Sequence, residues 1–180
     1  MEKITYNGEE YFFNMGHVYD TNFCEVPLIV SQNVLKFYFS KKDYKNLNEN
    51  DLLEHVKSLK FAELYNDCLQ AIIFGLDKFC TSYNFYKMVF PIITSCYRAL
   101  GQPQKAIDFW MQYKRIFSTC LTVPLLTSLA AAYCDVGNYV LARKCADRAY
   151  ALQDGSLGYK SELSLVYRRI AKETQTPIEP

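Results

Sequence analysis

The sequence predicts a mainly α fold, in which antiparallel helix pairs stack as a short α-solenoid after a small N-terminal β-hairpin. Three observations predict this fold. From Tyr86 almost to the end of the chain, apolar residues recur at helical spacing and are interrupted at four places. Tyr97 and Tyr133 are 36 positions apart and begin the same Tyr-Gly-Ala pattern, a spacing typical of helix-pair repeats. Near the N-terminus, Asn7-Gly8 separates two short runs of β-forming residues, which indicates a hairpin turn.

Composition and charge limit the class of protein. The chain has 180 residues, of which 50% are hydrophobic, so it can bury a core without disulfide or metal staples. A net charge of +1 provides no overall field that would attract nucleic acid or an anionic membrane. No apolar run approaches the roughly 18 residues that cross a bilayer, and the acidic start "MEKITYNGEEYFF" lacks the pattern of a cleaved secretion signal. We therefore expect a cytoplasmic protein that does not contact membranes.

The cysteines indicate a reducing compartment. Their number is odd, none forms a Cys-x-x-Cys pair, and most have apolar neighbours; they are Cys24, Cys68, Cys80, Cys96, Cys120, Cys134 and Cys145. We expect buried free thiols rather than a disulfide framework.

Residues 1–48 are predicted to hold the hairpin and one helix. A lone hairpin is marginally stable, so its aromatic side chains should pack on the helices that follow. Pro27 suits a first helical turn, and apolar residues then repeat at helical spacing up to the polar segment "SKKDYKNLNEN".

Residues 49–85 are predicted to be helical, with a degenerate repeat as an open alternative. Asp51 is placed to cap a helix that starts here. Two apolar patterns follow, over residues 52–59 and 64–76, and the sequence leaves open whether they form one helix or two.

Residues 86–172 are predicted to form five helices, followed by a polar tail at 173–180. The breaks fall at Gly101, at 122–124, at Gly137 and at 154–158. Each glycine can take the left-handed conformation that ends a helix, so the chain can reverse within a few residues. Ala106 and Ala142 then fall on the inner side of the returning helices, where a larger side chain would push two packed helices apart. Ala146 and Ala149 extend this stripe of small residues.

These residues resemble the tetratricopeptide repeat family. One nearly complete copy is carried by Leu129, Ala130, Tyr133, Gly137, Tyr139, Ala142 and Ala149, and a weaker copy by Ile93, Tyr97, Gly101 and Ala106. A third copy begins at 162–170, with Tyr167 placed 34 residues after Tyr133. Trp110 and Tyr113 replace smaller residues, Asp154 stands in place of the usual closing proline, and Pro91 lies inside a predicted helix. The longer spacing around "STCLTVP" leaves a pentatricopeptide-like alternative open.

The resemblance implies a concave wall, lined by the first helix of each repeat, that holds a peptide or protein partner. The positions that it places on this wall are Ser95, Arg98, Thr127, Ala131, Asp135, Ser161, Leu165, Arg168 and Arg169. Arg98, Arg168 and Arg169 would hold a carboxylate or an acidic segment of the partner. The alternative is that these arginines are ordinary solvated charges.

Catalytic chemistry has little support in the sequence. His17 and His55, the two histidines, lie in different predicted elements without a ligand pattern around them, and no nucleophile or phosphate-binding motif occurs. We expect no catalytic residue, metal or cofactor. Trp110 is interpreted as core, and the basic residues of "ARKCADRAY" as a solvated outer side of a helix.

The leading hypothesis is a non-enzymatic adaptor, chaperone or inhibitor that binds one protein partner. RNA binding by a pentatricopeptide-like array is a second hypothesis, disfavoured by the near-zero net charge. A third is self-association through the unfinished C-terminal repeat, because an uncapped repeat end leaves an apolar surface unburied.

Overall fold

The computed structural model describes residues 1–14, 17–115, 121–153 and 161–174, which are mainly helical with a small sheet at the N-terminus. The chain divides into two compact units, Met1–Cys80 and Thr81–Pro180. Within the described residues there are three strands and eight helices.

The N-terminal sheet is antiparallel, in the order β1 (Glu2–Tyr6), β2 (Glu9–Asn14) and β3 (His17–Tyr19). Asn7 and Gly8 both have positive φ, 51° and 84°, which the tight turn between β1 and β2 requires. The predicted hairpin is confirmed, and a third strand extends it. One side of the sheet is buried through Ile4, Tyr11, Phe13 and Val18.

Two aromatic residues of the sheet, Tyr6 and Phe13, pack on the first helix, α1 (Leu28–Ser40), as predicted, whereas Phe12 stacks on Phe23 at 5.1 Å. The ring of Phe13 lies 5.5 Å from that of Tyr38 and 5.9 Å from that of Phe39, measured between centroids. Tyr6 packs edge-on against Phe37 at 5.2 Å. These contacts give the small sheet the apolar support that it lacks alone.

Two further helices complete the first unit, α2 (Glu49–Phe61) and α3 (Tyr65–Lys78), so the two apolar patterns form separate helices. Glu63, between them, has φ of +59° and ends the first. The prediction that Asp51 caps α2 is wrong. Asn48 is the cap, because its side-chain oxygen accepts a hydrogen bond from the backbone N–H of Asp51, the third residue of α2, at 3.0 Å.

His55 is a buried polar residue in this unit. Its side chain is 5% exposed and lies between the rings of Phe39 at 5.2 Å and Tyr44 at 5.6 Å. Its Nδ1 has no hydrogen-bond partner among the residues that the structure describes. Burial, with a smaller contribution from the charge of Lys42, lowers the pKa of His55 to about 4.

The second unit contains the five predicted helices: α4 (Tyr83–Ala99), α5 (Pro103–Tyr113), α6 (Val123–Asp135), α7 (Tyr139–Leu152) and α8 (Glu162–Thr174). Gly101 and Gly137 have φ of +69° and +75° and end α4 and α6, as predicted. Thr122 caps α6 at the predicted break between residues 122 and 124. The fourth predicted break, at 154–158 with Asp154, and the tail beyond Thr174 lie outside the described residues. Pro91 lies inside α4, which continues past it.

Small residues let these helices pack closely. Helices α4 and α5 pack together, as do α6 and α7, while α6 also contacts α4, α5 and α8. Ala106 is 1% exposed, and Ala142, Ala146 and Ala149 are fully buried in one core cluster with Tyr133. The expected inward placement of the alanine stripe is confirmed.

None of the cysteines that the structure describes forms a disulfide. Cys68, Cys96 and Cys134 are buried and Cys145 is half-buried, as expected, whereas Cys24 and Cys80 are exposed. Cys120 lies outside the described residues. No helix in the described ranges combines the length and the apolar content that a bilayer-spanning segment needs.

We expect Ala142→Leu to lower the free energy of unfolding by about 1–3 kcal/mol, because three extra carbons must enter a closely packed helix contact. Ala151→Leu is the matched control, since Ala151 is exposed on the same helix. Urea unfolding measures both variants. Equal stability of the two would contradict the close packing of α7.

We expect His55 to destabilise the fold in acid. The pKa of His55 is about 4 in the folded protein, below its ordinary value of 6.5. Above pH 6.5 the imidazole is neutral in both states and does not destabilise the fold. As the pH falls from 6.5 toward 4, the unfolded chain binds the proton more readily than the folded protein, so the free energy of unfolding decreases. The loss from this residue alone is about 3 kcal/mol at pH 4. His55→Phe should remove that part of the pH dependence, as measured by urea unfolding between pH 7 and 4. A wild-type slope in the variant would show that His55 is not buried in the neutral form.

Candidate functional site

Helix α6 contacts both α4 and α8, and these three helices, which we call the wall, contain or adjoin the predicted partner-binding residues. Three of them form one ion-pair network. The carboxylate of Asp135 accepts a hydrogen bond from Nε of Arg98 at 2.6 Å and another from Nη1 of Arg169. A single side chain of α6 therefore joins it to both neighbouring helices.

The network is partly buried, which strengthens its electrostatics. The side chains of Arg98, Asp135 and Arg169 are 29%, 22% and 43% exposed. Burial raises the pKa of Asp135, but the hydrogen bonds from the two arginines outweigh that effect and bring this pKa below its ordinary value of 3.8. The Asp135 hydrogen bond likewise raises the pKa of Arg169. Both shifts favour the charged forms of Asp135 and Arg169.

This network changes the role expected for two arginines. Arg98 and Arg169 were expected to hold a partner's carboxylate, but the carboxylate that they hold is that of Asp135. The reason is geometric, since the C-terminal end of α6 places an acid between the two basic side chains. Arg168, the preceding residue of α8, is exposed.

The remaining predicted residues divide by exposure. Leu165 is 54% exposed, although it is a large apolar residue. Ser95 and Ala131 are half-buried, whereas Thr127 is 4% exposed and belongs to the interior. The hydroxyl of Ser161 accepts the backbone N–H of Ser164 at 3.1 Å, an interaction of the helix start.

Helices α7 and α8 are joined by contacts that the sequence did not indicate. The hydroxyl of Tyr167 donates to Asp147 at 2.8 Å, and Arg143 pairs with the same carboxylate at 2.8 Å. The guanidinium of Arg143 also lies 5.0 Å from the centre of the Tyr167 ring. Burial, with the Asp147 hydrogen bond, raises the pKa of Tyr167. Arg143 and Asp147 therefore contribute to the contact between α7 and α8 and are more than solvated surface charges.

A concave surface lies between α5, α6 and α7, which we call the basic groove. It is a cavity of about 570 Å³, and its lining consists of Trp110, Lys114, Arg115, Leu121, Leu126, Leu129, Lys144, Cys145 and Arg148. Four of these residues are cations, and none of the described lining residues is acidic. Trp110, expected in the core, packs edge-on against Phe90 at 6.1 Å and also lines the groove. The sequence signal for the groove was limited to Lys144 and Arg148, which are four residues apart on one helix.

The described residues contain no cluster of metal-ligating side chains. No group of three His, Cys, Asp or Glu side chains among them is placed to hold a metal ion. Burial raises the pKa of Cys134, and raises that of Cys145 to about 11, which opposes the thiolate form that a nucleophile needs. His17 pairs with Glu25 at 2.6 Å in a partly exposed position, apart from the buried His55.

Comparison of the chain with protein-family models, curated proteins and solved structures finds no significant match.

We expect Arg98 and Asp135 to be energetically coupled. In a double-mutant cycle with alanine at each position, the coupling energy should be about 1–2 kcal/mol, because the pair is partly buried and hydrogen-bonded. The exposed Gln104–Asp108 pair on α5 is the control, and its coupling should stay below about 0.5 kcal/mol. Urea unfolding at pH 7 measures both cycles, and equal coupling in the two would contradict a structural role for Asp135.

Proposed function

We propose that the second unit is a short tetratricopeptide-like helical stack that binds a protein partner on the wall formed by α4, α6 and α8, without catalysing a reaction. The observation that carries the proposal is the Arg98–Asp135–Arg169 network. It fixes three helices side by side and so produces one continuous surface from residues that are far apart in sequence. Rigid helices hold a binding surface in one geometry and lower the entropy cost of association.

The chemistry of the wall suits a partner with an acidic segment and an apolar anchor. Three arginines and one aspartate stand among its predicted residues, so positive charge predominates among them, although the whole chain is nearly neutral. Such a local charge guides an acidic partner and fixes its orientation. Leu165 provides an exposed apolar contact at the same surface.

Two further observations support a binding module in a reducing compartment. The six described cysteines form no disulfide, as expected for a cytoplasmic protein. Buried thiols with raised pKa values and the lack of a metal-ligand cluster in the described residues favour binding over catalysis.

We expect Leu165→Glu to weaken retention of the partner by about tenfold or more, because it places a charge at the apolar part of the wall. The measurement is affinity capture from the native host with quantification of each bound protein. Leu152→Glu is the matched control, since Leu152 is 51% exposed on α7 outside the wall.

A partner lost with Leu165→Glu and retained with Leu152→Glu would support the wall as the binding surface. Identical sets of captured proteins for wild type and both variants would overturn the proposal. Light scattering on the same samples tests self-association, and a wild-type dimer that Leu165→Glu converts to a monomer would replace the partner with a second copy of this chain.

A further inference from the structure

We propose that the basic groove is a second docking site, which takes an acidic peptide segment of a partner protein and encloses one large apolar side chain of that segment. This inference rests on the proposed protein-binding function, and it assigns the chemistry of one bound segment. The groove lies within the second unit, and its lining residues are not those of the wall.

The floor of the groove selects an apolar group. Leu121 and Trp110 line it as half-buried side chains, Leu126 and Leu129 line it with only 3% and 1% of their surface exposed, and Cys145 adds a half-buried thiol. A volume of about 570 Å³ falls within the range of sites that enclose an apolar ligand group. Exposed apolar surface that is rimmed by charged residues is typical of an interaction site.

The rim selects negative charge. Lys114 and Arg115 lie at the end of α5, and Lys144 and Arg148 lie one turn apart on α7. Among the residues that the structure describes, none of these four cations is in an ion pair with a carboxylate. Arg143, the neighbour of Lys144, is by contrast paired with Asp147. On α7, Arg143 is thus paired with an aspartate of the same helix, whereas Lys144 and Arg148 line the groove.

The arrangement of the cations favours a peptide over other anions. One pair of basic residues lies on α7 and the other directly follows α5, so a segment with acids on both sides of one apolar side chain would meet both pairs. A single-headed amphiphile would use one of the two pairs. RNA is disfavoured because the floor is mainly aliphatic and Trp110 is packed edge-on against Phe90, which leaves little flat aromatic surface for stacked bases.

Trp110 is the chain's one tryptophan, so its fluorescence reports directly on the groove. The probe is a synthetic peptide with a central Leu-Phe pair flanked on both sides by glutamates. We expect the peptide to cause a saturable change in Trp110 emission. The affinity of the peptide should fall as the salt concentration is raised, because salt screens the attraction between charges. The peptides with serines in place of Leu-Phe, or with lysines in place of the glutamates, should bind at least about tenfold more weakly.

The double variant Lys144→Glu/Arg148→Glu should weaken binding of the acidic peptide by about tenfold or more. The control Lys105→Glu/Lys172→Glu changes the net charge equally at exposed positions outside the groove and should leave binding within about twofold. Circular dichroism and urea unfolding confirm that both variants are folded. Absence of an emission change with the peptide, or equal loss in the two double variants, would overturn the proposal.

Two competition arms separate other occupants. Displacement of the peptide by oligouridylate or by dodecanoate, with tighter binding than the peptide, would assign the groove to nucleic acid or to an amphiphilic anion and overturn the proposal. Capture from the host with the Lys144→Glu/Arg148→Glu protein separates this inference from the function proposed above. A partner that is lost with Leu165→Glu and fully retained with this double variant would leave the wall assignment standing while the groove assignment fails.

Discussion

The second unit depends on the close approach of helices that alanine side chains permit. Ala130 and Ala132 of α6 and Ala142, Ala146 and Ala149 of α7 belong to one buried cluster. Short side chains bring two helix backbones near each other, and the apolar area buried along the contact then offsets the cost of ordering both helices. Because α6 also contacts α4, α5 and α8, its position controls both surfaces described above.

The wall and the basic groove of the second unit differ in whether their cations are paired with acids. On the wall, Asp135 neutralises part of the charge of two arginines, and the network adds stability at the cost of desolvating three charged groups. In the basic groove, the cations surround an apolar floor without described acids among the lining residues. A structural role therefore explains much of the first arrangement, whereas the second still has charge left for a ligand.

Local features were predictable from the sequence, and contacts between distant residues were not. Gly101 and Gly137 marked real helix ends because positive φ is a property of one residue and its neighbours. The cap of α2 was misplaced by three residues because Asp51 and Asn48 are both good caps, and only the path of the chain decides between them. Strand β3 has only three residues and pairs with β2, so it is too short to show the alternating pattern by which a strand is predicted. The Arg98–Asp135 pair joins residues 37 positions apart, and the groove combines side chains from three helices; neither follows from spacing along one helix.

The shared acceptor on α6 has a consequence for how this surface can change over time. Two guanidinium groups converge on one carboxylate, so substitutions of either arginine are tied to Asp135 but not directly to one another. A substitution of Arg98 leaves the ion pair between Asp135 and Arg169 of α8 intact. A substitution of Arg169 leaves the ion pair between Asp135 and Arg98 of α4 intact. Loss of the aspartate, however, leaves two like charges facing each other, which makes position 135 the least replaceable of the three.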